Sequence, residues 1–177
     1  HDNITEMSEP VPSSIYGLSK LTAEHLLKQV IKPLSTTHVV LRIPRVYGPE
    51  DRPSNYGPTQ FLQLSRQNKS IDLWGDGLEL RHFLFVEDLT RAVQEILNKV
   101  ELEGVMNLAP PKTSTFLEAS VLAKELTQSQ KPLVHLERTR PKADHVMNVS
   151  RWRDVFPRFS FTSLREGMMR TLDYQNN

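Results

Sequence analysis

Tyr16 and Lys20 stand four residues apart in the run Tyr16-Gly17-Leu18-Ser19-Lys20. On a helix that spacing places the two side chains one above the other, where an ammonium can assist proton exchange by a phenol. A phenol so placed is a candidate general acid or base. The helix that must carry them is legible in the residues that follow. Leu18, Leu21, Leu26, Leu27 and Val30 recur at helical intervals from Ile15 to about Lys32, and Pro33 ends the run. Ser13 and Ser14 stand where helix-entry residues belong.

The chain has 177 residues, 38% of them hydrophobic and 24% charged, with a formal net charge of +1. That is enough for one domain with a real core, or a compact domain plus a small lobe. The charge balance offers no surface for a polyanion, so no nucleic-acid partner is expected. Without cysteine there is neither a disulfide framework nor a thiolate metal site, and a reducing cytoplasm is the expected location. The six histidines show no metal-ligand spacing, so no metal is expected. No apolar run approaches the roughly 18 to 20 residues that span a bilayer, so no membrane partner is expected. Because the sequence opens on His1 rather than a methionine, it is expected to be part of a longer protein.

Short apolar strands alternate with helices along the rest of the chain, which predicts an α/β fold. Strands are expected over His38 to Ile43 (buried and parallel), Ile71 to Trp74, Arg81 to Val86, Val105 to Leu108 and Leu133 to Leu136. Helices are expected over Thr59 to Lys69, Glu87 to Val100 and Thr115 to Thr127, the last with Ser114 as N-cap, and a terminal helix around Leu164 to Leu172. Tyr47 to Pro58, with Gly48, Pro49, Pro53 and Gly57, reads as a long loop of the kind that is often functional. Gly75-Asp76-Gly77 reads as a tight turn. No arrangement of the seven glycines gives the Gly-rich strand-to-helix turn that cradles a pyrophosphate.

The Tyr16 to Lys20 run is preceded by Pro12 and Ser13-Ser14 and followed in order by LTAEHLLKQV, HVVLRIPRVYGPE, GDGLELRHFLFVEDLTRA, GVMNLAPPKTSTFLE and RPKADHVMNVS. This series resembles the extended short-chain dehydrogenase/reductase family, in its branch of nucleotide-sugar epimerases, dehydratases and reductases, over nearly the whole chain. The resemblance implies that residues 1–177 form the C-terminal part of a Rossmann-type doubly wound parallel sheet plus a small α/β substrate-binding lobe. The catalytic helix would span about 15–32, and the lobe mainly 45–85 and 130–177. It implies an NAD or NADP cofactor, a nucleotide-sugar substrate and a homodimer through the catalytic helix. Tyr16 would exchange a proton with a sugar hydroxyl, Lys20 would also hold the nicotinamide ribose, and the strand end at Ile43 would lie beside the nicotinamide. The serine or threonine that orients the hydroxyl in this family would lie upstream of His1.

For the substrate, the resemblance assigns Arg45, Trp74, Arg81, Arg140 and Asp144. Arg45 stands where an asparagine is usual, and a guanidinium can still bind a diphosphate bidentately. Arg81 matches an arginine that grips the diphosphate, and Trp74 stands where members stack the nucleobase. In Arg140-Pro141-Lys142-Ala143-Asp144 the arginine would reach phosphate and the aspartate ribose, with Ala143 replacing the usual glycine. Each has a plainer reading: an ion pair of Arg45 with Glu50 or Asp51, a strand-end salt bridge at Arg81, a core tryptophan, a solvated RPKAD loop, and a packed His82 where aspartate is more usual. Two other functions stay open, a reductase of non-nucleotide carbonyls and a non-catalytic module that kept the fold.

Overall fold

The computed structural model describes residues 3–34, 36–51, 56–99 and 101–174. Residues 52–55 of the expected loop, and Val100 at the end of an expected helix, lie outside them. Helix α1 runs Ile15–Ile31, and its N-cap Ser14 accepts from the Gly17 amide at 3.1 Å. No residue of α1 is buried. Glu24 ties it to the neighbouring strand by accepting from Arg42 at 2.9 Å, and within the helix it accepts from Lys28 at 3.2 Å. Burial pushes the Glu24 carboxyl up, but these two partners prevail and hold it below the usual carboxylate range.

Strand β1 (Val39–Arg42) pairs in parallel with β6 (Gly104–Asn107). The parallel pairing agrees with expectation; full burial does not, because all four β1 residues are only half-buried. Among the described residues β1 pairs with β6 alone and is thinly covered by α1. Strand β2 (Arg45–Tyr47) pairs in parallel with β5 (Phe83–Phe85), so Tyr47 closes a strand and is only 1% exposed instead of opening a loop. The strand expected over Arg81 to Val86 is broken at His82. Leu80–Arg81 (β4) pairs antiparallel with Ser114–Thr115 (β7), while β5 joins β2. The cause is the inward turn of His82, whose ring bonds the carbonyl of Pro110.

Side chains of β5 alternate between two cores, as the two-residue period of a strand requires. Phe83 and Phe85 join Tyr47, Phe61, Leu73, Phe116 and Met168 on one side. Leu84 joins Met106, Leu108, Trp152 and Phe156 on the other. Around the first core α2 (Pro58–Arg66) packs on α4 (Phe116–Thr127), and β3 (Ile71–Trp74) pairs in parallel with β8 (Leu133–Leu136). The N-cap of α4 is Thr115, in a reciprocal capping box with Glu118, and not Ser114. Ser114 is held in β7 opposite Arg81.

Helix α3 spans Val86–Leu97 and α6 spans Leu164–Tyr174. A short α5 (Ser150–Val155), too brief for its periodicity to show in sequence, inserts Trp152 into the second core. At Gly167 the helix α6 lies so close to Tyr47 that a Cβ would stand 2.1 Å from the phenol oxygen. No described helix is long and apolar enough to cross a membrane.

Candidate active site

Two adjoining cavities define the site. The larger, about 940 Å³, lies between α1 and β1, with Tyr16, Lys20, Leu21 and Ile43 on its walls. The second, about 550 Å³, is lined by Arg45, Arg81, His82 and Asn107 among others. Arg42, Ile43 and His145 line both, so the two spaces share a wall. One turn of α1 sets Lys20 Nζ 5.2 Å from the centroid of the Tyr16 ring, on the shared face that their spacing predicts. Tyr16 is 72% exposed and so reachable by a ligand.

Arg45 and Arg81 converge on one aromatic ring: their guanidinium carbons lie 5.9 Å and 5.5 Å from the Phe116 centroid. Cations over a ring face gain from its quadrupole, and Phe116 brings the two together despite their like charge. Arg81 Nη1 donates to the carbonyls of Leu80 at 2.7 Å and Ala143 at 2.6 Å, an anchorage to backbone. Burial lowers the affinity of Arg81 for its proton; Glu79 and Asp144 oppose this and Arg45 adds to it. Burial acts likewise on Arg45, with Asp51 opposing. Glu50, one of the two expected ion-pair partners of Arg45, instead accepts from the Tyr174 hydroxyl at 2.6 Å. Two guanidiniums facing one cavity, Arg81 half-buried and Arg45 on an exposed residue, suit a multiply charged anion such as a diphosphate.

The remaining candidates stand apart. Trp74 is 44% exposed at the end of β3 and therefore not a core residue, and its amide donates to the Tyr56 hydroxyl at 3.3 Å. Arg140 is exposed, and neither it nor Trp74 lines the two cavities. Asp144 uses Oδ1 to accept from the Leu80 amide at 2.8 Å, which gives this carboxylate a share in holding β4. The structure thus brings together Tyr16, Lys20, Ile43, Arg45 and Arg81, with Asp144 behind Arg81. His145 was not singled out by sequence, although it directly follows the RPKAD run; partial burial and the charge of Arg81 disfavour its protonated form. Asn107 is also new to the site. Its Nδ2 donates to the carbonyls of Ile4 at 2.9 Å and Asn148 at 3.1 Å and so pins the segment leading to α1.

His82 is 2% exposed, and its partners fix its state. The Pro110 carbonyl at 2.7 Å can only accept, so Nδ1 carries the proton; the Met147 amide at 2.9 Å can only donate, so Nε2 is bare. Burial lowers the pKa of this ring from 6.5, against the opposing effect of backbone bonds at Pro110 and Lys112. A depressed folded pKa contributes stability that is complete above 6.5 and is lost as pH falls toward the folded value, because the unfolded ring takes up its proton first. The urea midpoint should therefore fall between about pH 7.5 and about pH 5.5, and a His82→Gln chain should lose less over that interval. Equal losses in both chains would contradict the assignment.

The sequence matches the family described as NAD dependent epimerase/dehydratase over residues 1–109. A dTDP-D-glucose 4,6-dehydratase of Mus musculus is 32% identical over 143 residues, covering 80% of this chain and 39% of that protein. YtcB of Bacillus subtilis strain 168, described as an uncharacterized UDP-glucose epimerase, is 24% identical over 173 residues, covering 97% and 54%. Among solved structures, the UDP-glucose 4-epimerase of Thermotoga maritima with UDP-glucose superposes with a TM-score of 0.87 at 24% identity, over 99% of this chain and 58% of that one. The UDP-glucuronic acid 4-epimerase of Bacillus cereus in complex with NAD gives 0.86 at 24% identity, over 99% and 56%. These likenesses establish the Rossmann-type fold, and the chain spans 54% or less of the length of these two curated relatives. With the family match covering both the Tyr16 to Lys20 run and the strand end at Ile43, the chain belongs to the NAD dependent epimerase/dehydratase family.

Proposed function

We propose that this chain supplies the proton-transfer residues and the diphosphate clamp of an NAD(P)-dependent enzyme acting on a nucleotide sugar. The observation that carries this reading is that the Tyr16 and Lys20 cavity adjoins the one faced by Arg45 and Arg81, with Arg42, Ile43 and His145 lining both. In this reading a sugar whose diphosphate lies against the two guanidiniums extends past Ile43 and His145 toward the phenol. A reductase of uncharged carbonyls has no use for two cations facing one cavity.

The cavity beside α1 fits the nicotinamide end of the cofactor. It is open, it carries the Tyr16 phenol and the Lys20 ammonium on one wall, and the apolar Leu21 and Ile43 offer contact for a planar ring. The pyrophosphate would have to be held by a Gly-rich turn outside these 177 residues. A bound nicotinamide supplies hydride acceptance and return at the sugar carbinol, which no side chain offers. The chain's own part is acid-base chemistry. As the carbinol is oxidised, the Tyr16 oxygen takes up its hydroxyl proton, and it returns a proton when the carbonyl is reduced. The Lys20 ammonium lies 5.2 Å from the centroid of the Tyr16 ring and faces the same cavity as the oxygen that exchanges the proton. Arg45 and Arg81 hold the diphosphate, and with it the distance from sugar to phenol.

The outer face of α1 presents Ile15, Leu18, Leu26 and Val30, which are 89%, 55%, 60% and 63% exposed. This apolar stripe supports association of two copies through α1.

Calorimetry on the protein containing this chain tests the diphosphate clamp, with UDP and dTDP compared against their nucleosides. The diphosphates should bind, and Arg81→Gln should weaken them about 10- to 100-fold, as loss of a charge-assisted bond of about 1.5 to 3 kcal/mol implies. Nucleoside binding should be little changed. A protein indifferent to nucleoside diphosphates, or an Arg81→Gln chain that binds them normally, would exclude this function.

A further inference from the structure

We propose that Arg138 is a positioning residue for nucleotide binding, clamping the strap after β8 onto the loop that joins Trp74 to β4 and Arg81. That loop is the turn after β3, from Gly75 to Glu79, leading into β4. The strap leaves β8 at Leu136 and returns at Asp144. Arg138 lies on the strap and bonds the loop with both arms of its guanidinium. Nη1 donates to Glu79 Oε1, and Nη2 donates to Asp76 Oδ1 at 2.5 Å.

The planar group lies directly against Gly75, where a Cβ would stand 2.4 Å from Nη2 and where φ is +62°. The turn favours glycine, and a side chain there would push the guanidinium off its seat. The turn is further secured by the Gly75 amide donating to the Leu136 carbonyl at 2.9 Å, and by His135 Nδ1 bonding the Gly75 carbonyl at 2.7 Å. Trp74 immediately precedes it, so Arg138 fixes the backbone from which the indole projects.

The far end of the strap reaches Arg81. Asp144 accepts from the Leu80 amide at 2.8 Å, the His145 amide donates to the Leu80 carbonyl at 3.1 Å, and the Ala143 carbonyl accepts from Arg81 Nη1 at 2.6 Å. Arg81 is thus oriented by a carbonyl of the strap, and the strap is fastened at its near end by Arg138. Arg138 lines neither cavity, so its influence on a ligand passes through these neighbours. Glu79 and Asp76 give the guanidinium a two-armed seat that a lysine's single point charge cannot fill.

This inference rests on the reading of Arg81 as a diphosphate ligand. The test uses the protein containing this chain, with UDP as probe by calorimetry, and steady-state kinetics on its nucleotide sugar. Arg138→Gln should weaken UDP on the order of tenfold and raise KM with kcat little changed, within the range of coupling for residues of one network. Arg138→Lys should recover only part of the loss. In an Arg81→Gln background, Arg138→Gln should add less than about twofold, because the group it positions is gone. Should Arg138→Gln fail to fold, Glu79→Gln removes the partner instead and should reproduce the weakened binding.

If the parent protein binds UDP and Arg138→Gln binds it equally well, the positioning role is overturned and the diphosphate reading stands. If the losses from Arg81→Gln and Arg138→Gln multiply in full, Arg138 acts independently and the proposal fails. If the parent protein binds no nucleoside diphosphate, both readings fall together.

Discussion

Replacing Tyr16 by Phe should reduce kcat by about 10²- to 10⁴-fold, the contribution typical of a positioned general acid or base, while the affinity for a nucleotide sugar changes little. The phenyl ring preserves the shape of the residue and its contact with the Lys20 ammonium, now 5.2 Å from the ring centroid. Only the hydroxyl that exchanges the proton is lost. Tyr16 is 72% exposed and α1 buries none of its residues, so the substitution should leave the thermal midpoint unchanged. Steady-state kinetics on the protein containing this chain, together with a thermal melt, provide the check. Retention of more than about a tenth of the parent rate would remove Tyr16 from the proton-transfer role, given what general acid-base groups ordinarily contribute. A loss confined to KM would instead make it a binding residue.

Asp88→Ala should produce the largest loss of stability, about 3 kcal/mol, since hydrogen bonds to a charged group contribute about 1.5 to 3 kcal/mol each. Asp88 lies in the first turn of α3 and is 1% exposed. Its Oδ2 accepts from the Thr162 amide at 2.8 Å, and its Oδ1 accepts from the Thr162 hydroxyl at 2.8 Å and from Arg91. It therefore fastens the start of α3, which has no side-chain N-cap, to the segment entering α6. Removing the carboxylate strands the amide and hydroxyl of Thr162 without an acceptor. Arg91 retains the carbonyl of Ser160 at 2.8 Å and the ring of Phe159, so the damage centres on the 162 segment. At about 2 to 4 °C per kcal/mol for a chain of this size, the melt should shift down by about 6 to 12 °C. Asp88→Asn, which keeps one acceptor oxygen, should lose distinctly less. A shift of under about 2 °C for the alanine variant would show that the buried carboxylate does not hold the two segments together.

Neither effect follows from sequence with equal directness. Tyr16 and Lys20 are a local pair, four residues apart on a helix whose apolar spacing, serine cap and terminating proline lie within about twenty residues, so they were readable before any fold existed. Asp88 was readable only as one member of an acidic pair opening a helix. Its partner lies 74 residues away, and nothing in either segment announces the pairing. His82 likewise broke an apparently continuous strand, because a carbonyl at Pro110 and an amide at Met147 take its two nitrogens. Thr115 displaced Ser114 as the cap of α4 for a similar reason: β7 pairs Ser114 with Arg81, and the helix begins one residue later than hydroxyl chemistry alone would place it.

By itself the sequence determined the α/β alternation, the helix with its phenol and ammonium on one face, and the absence of a Gly-rich cradle from these 177 residues. Each is a matter of spacing or composition over a short stretch, where backbone geometry alone relates neighbours. Only the tertiary structure decided that Arg45 and Arg81 meet over Phe116, that Ile43 and His145 line two adjoining cavities, and that Arg138 fastens a strap onto a turn about 60 residues earlier in the chain. Those relations depend on which surfaces bury one another and where charge is desolvated, and both arise only when distant segments pack.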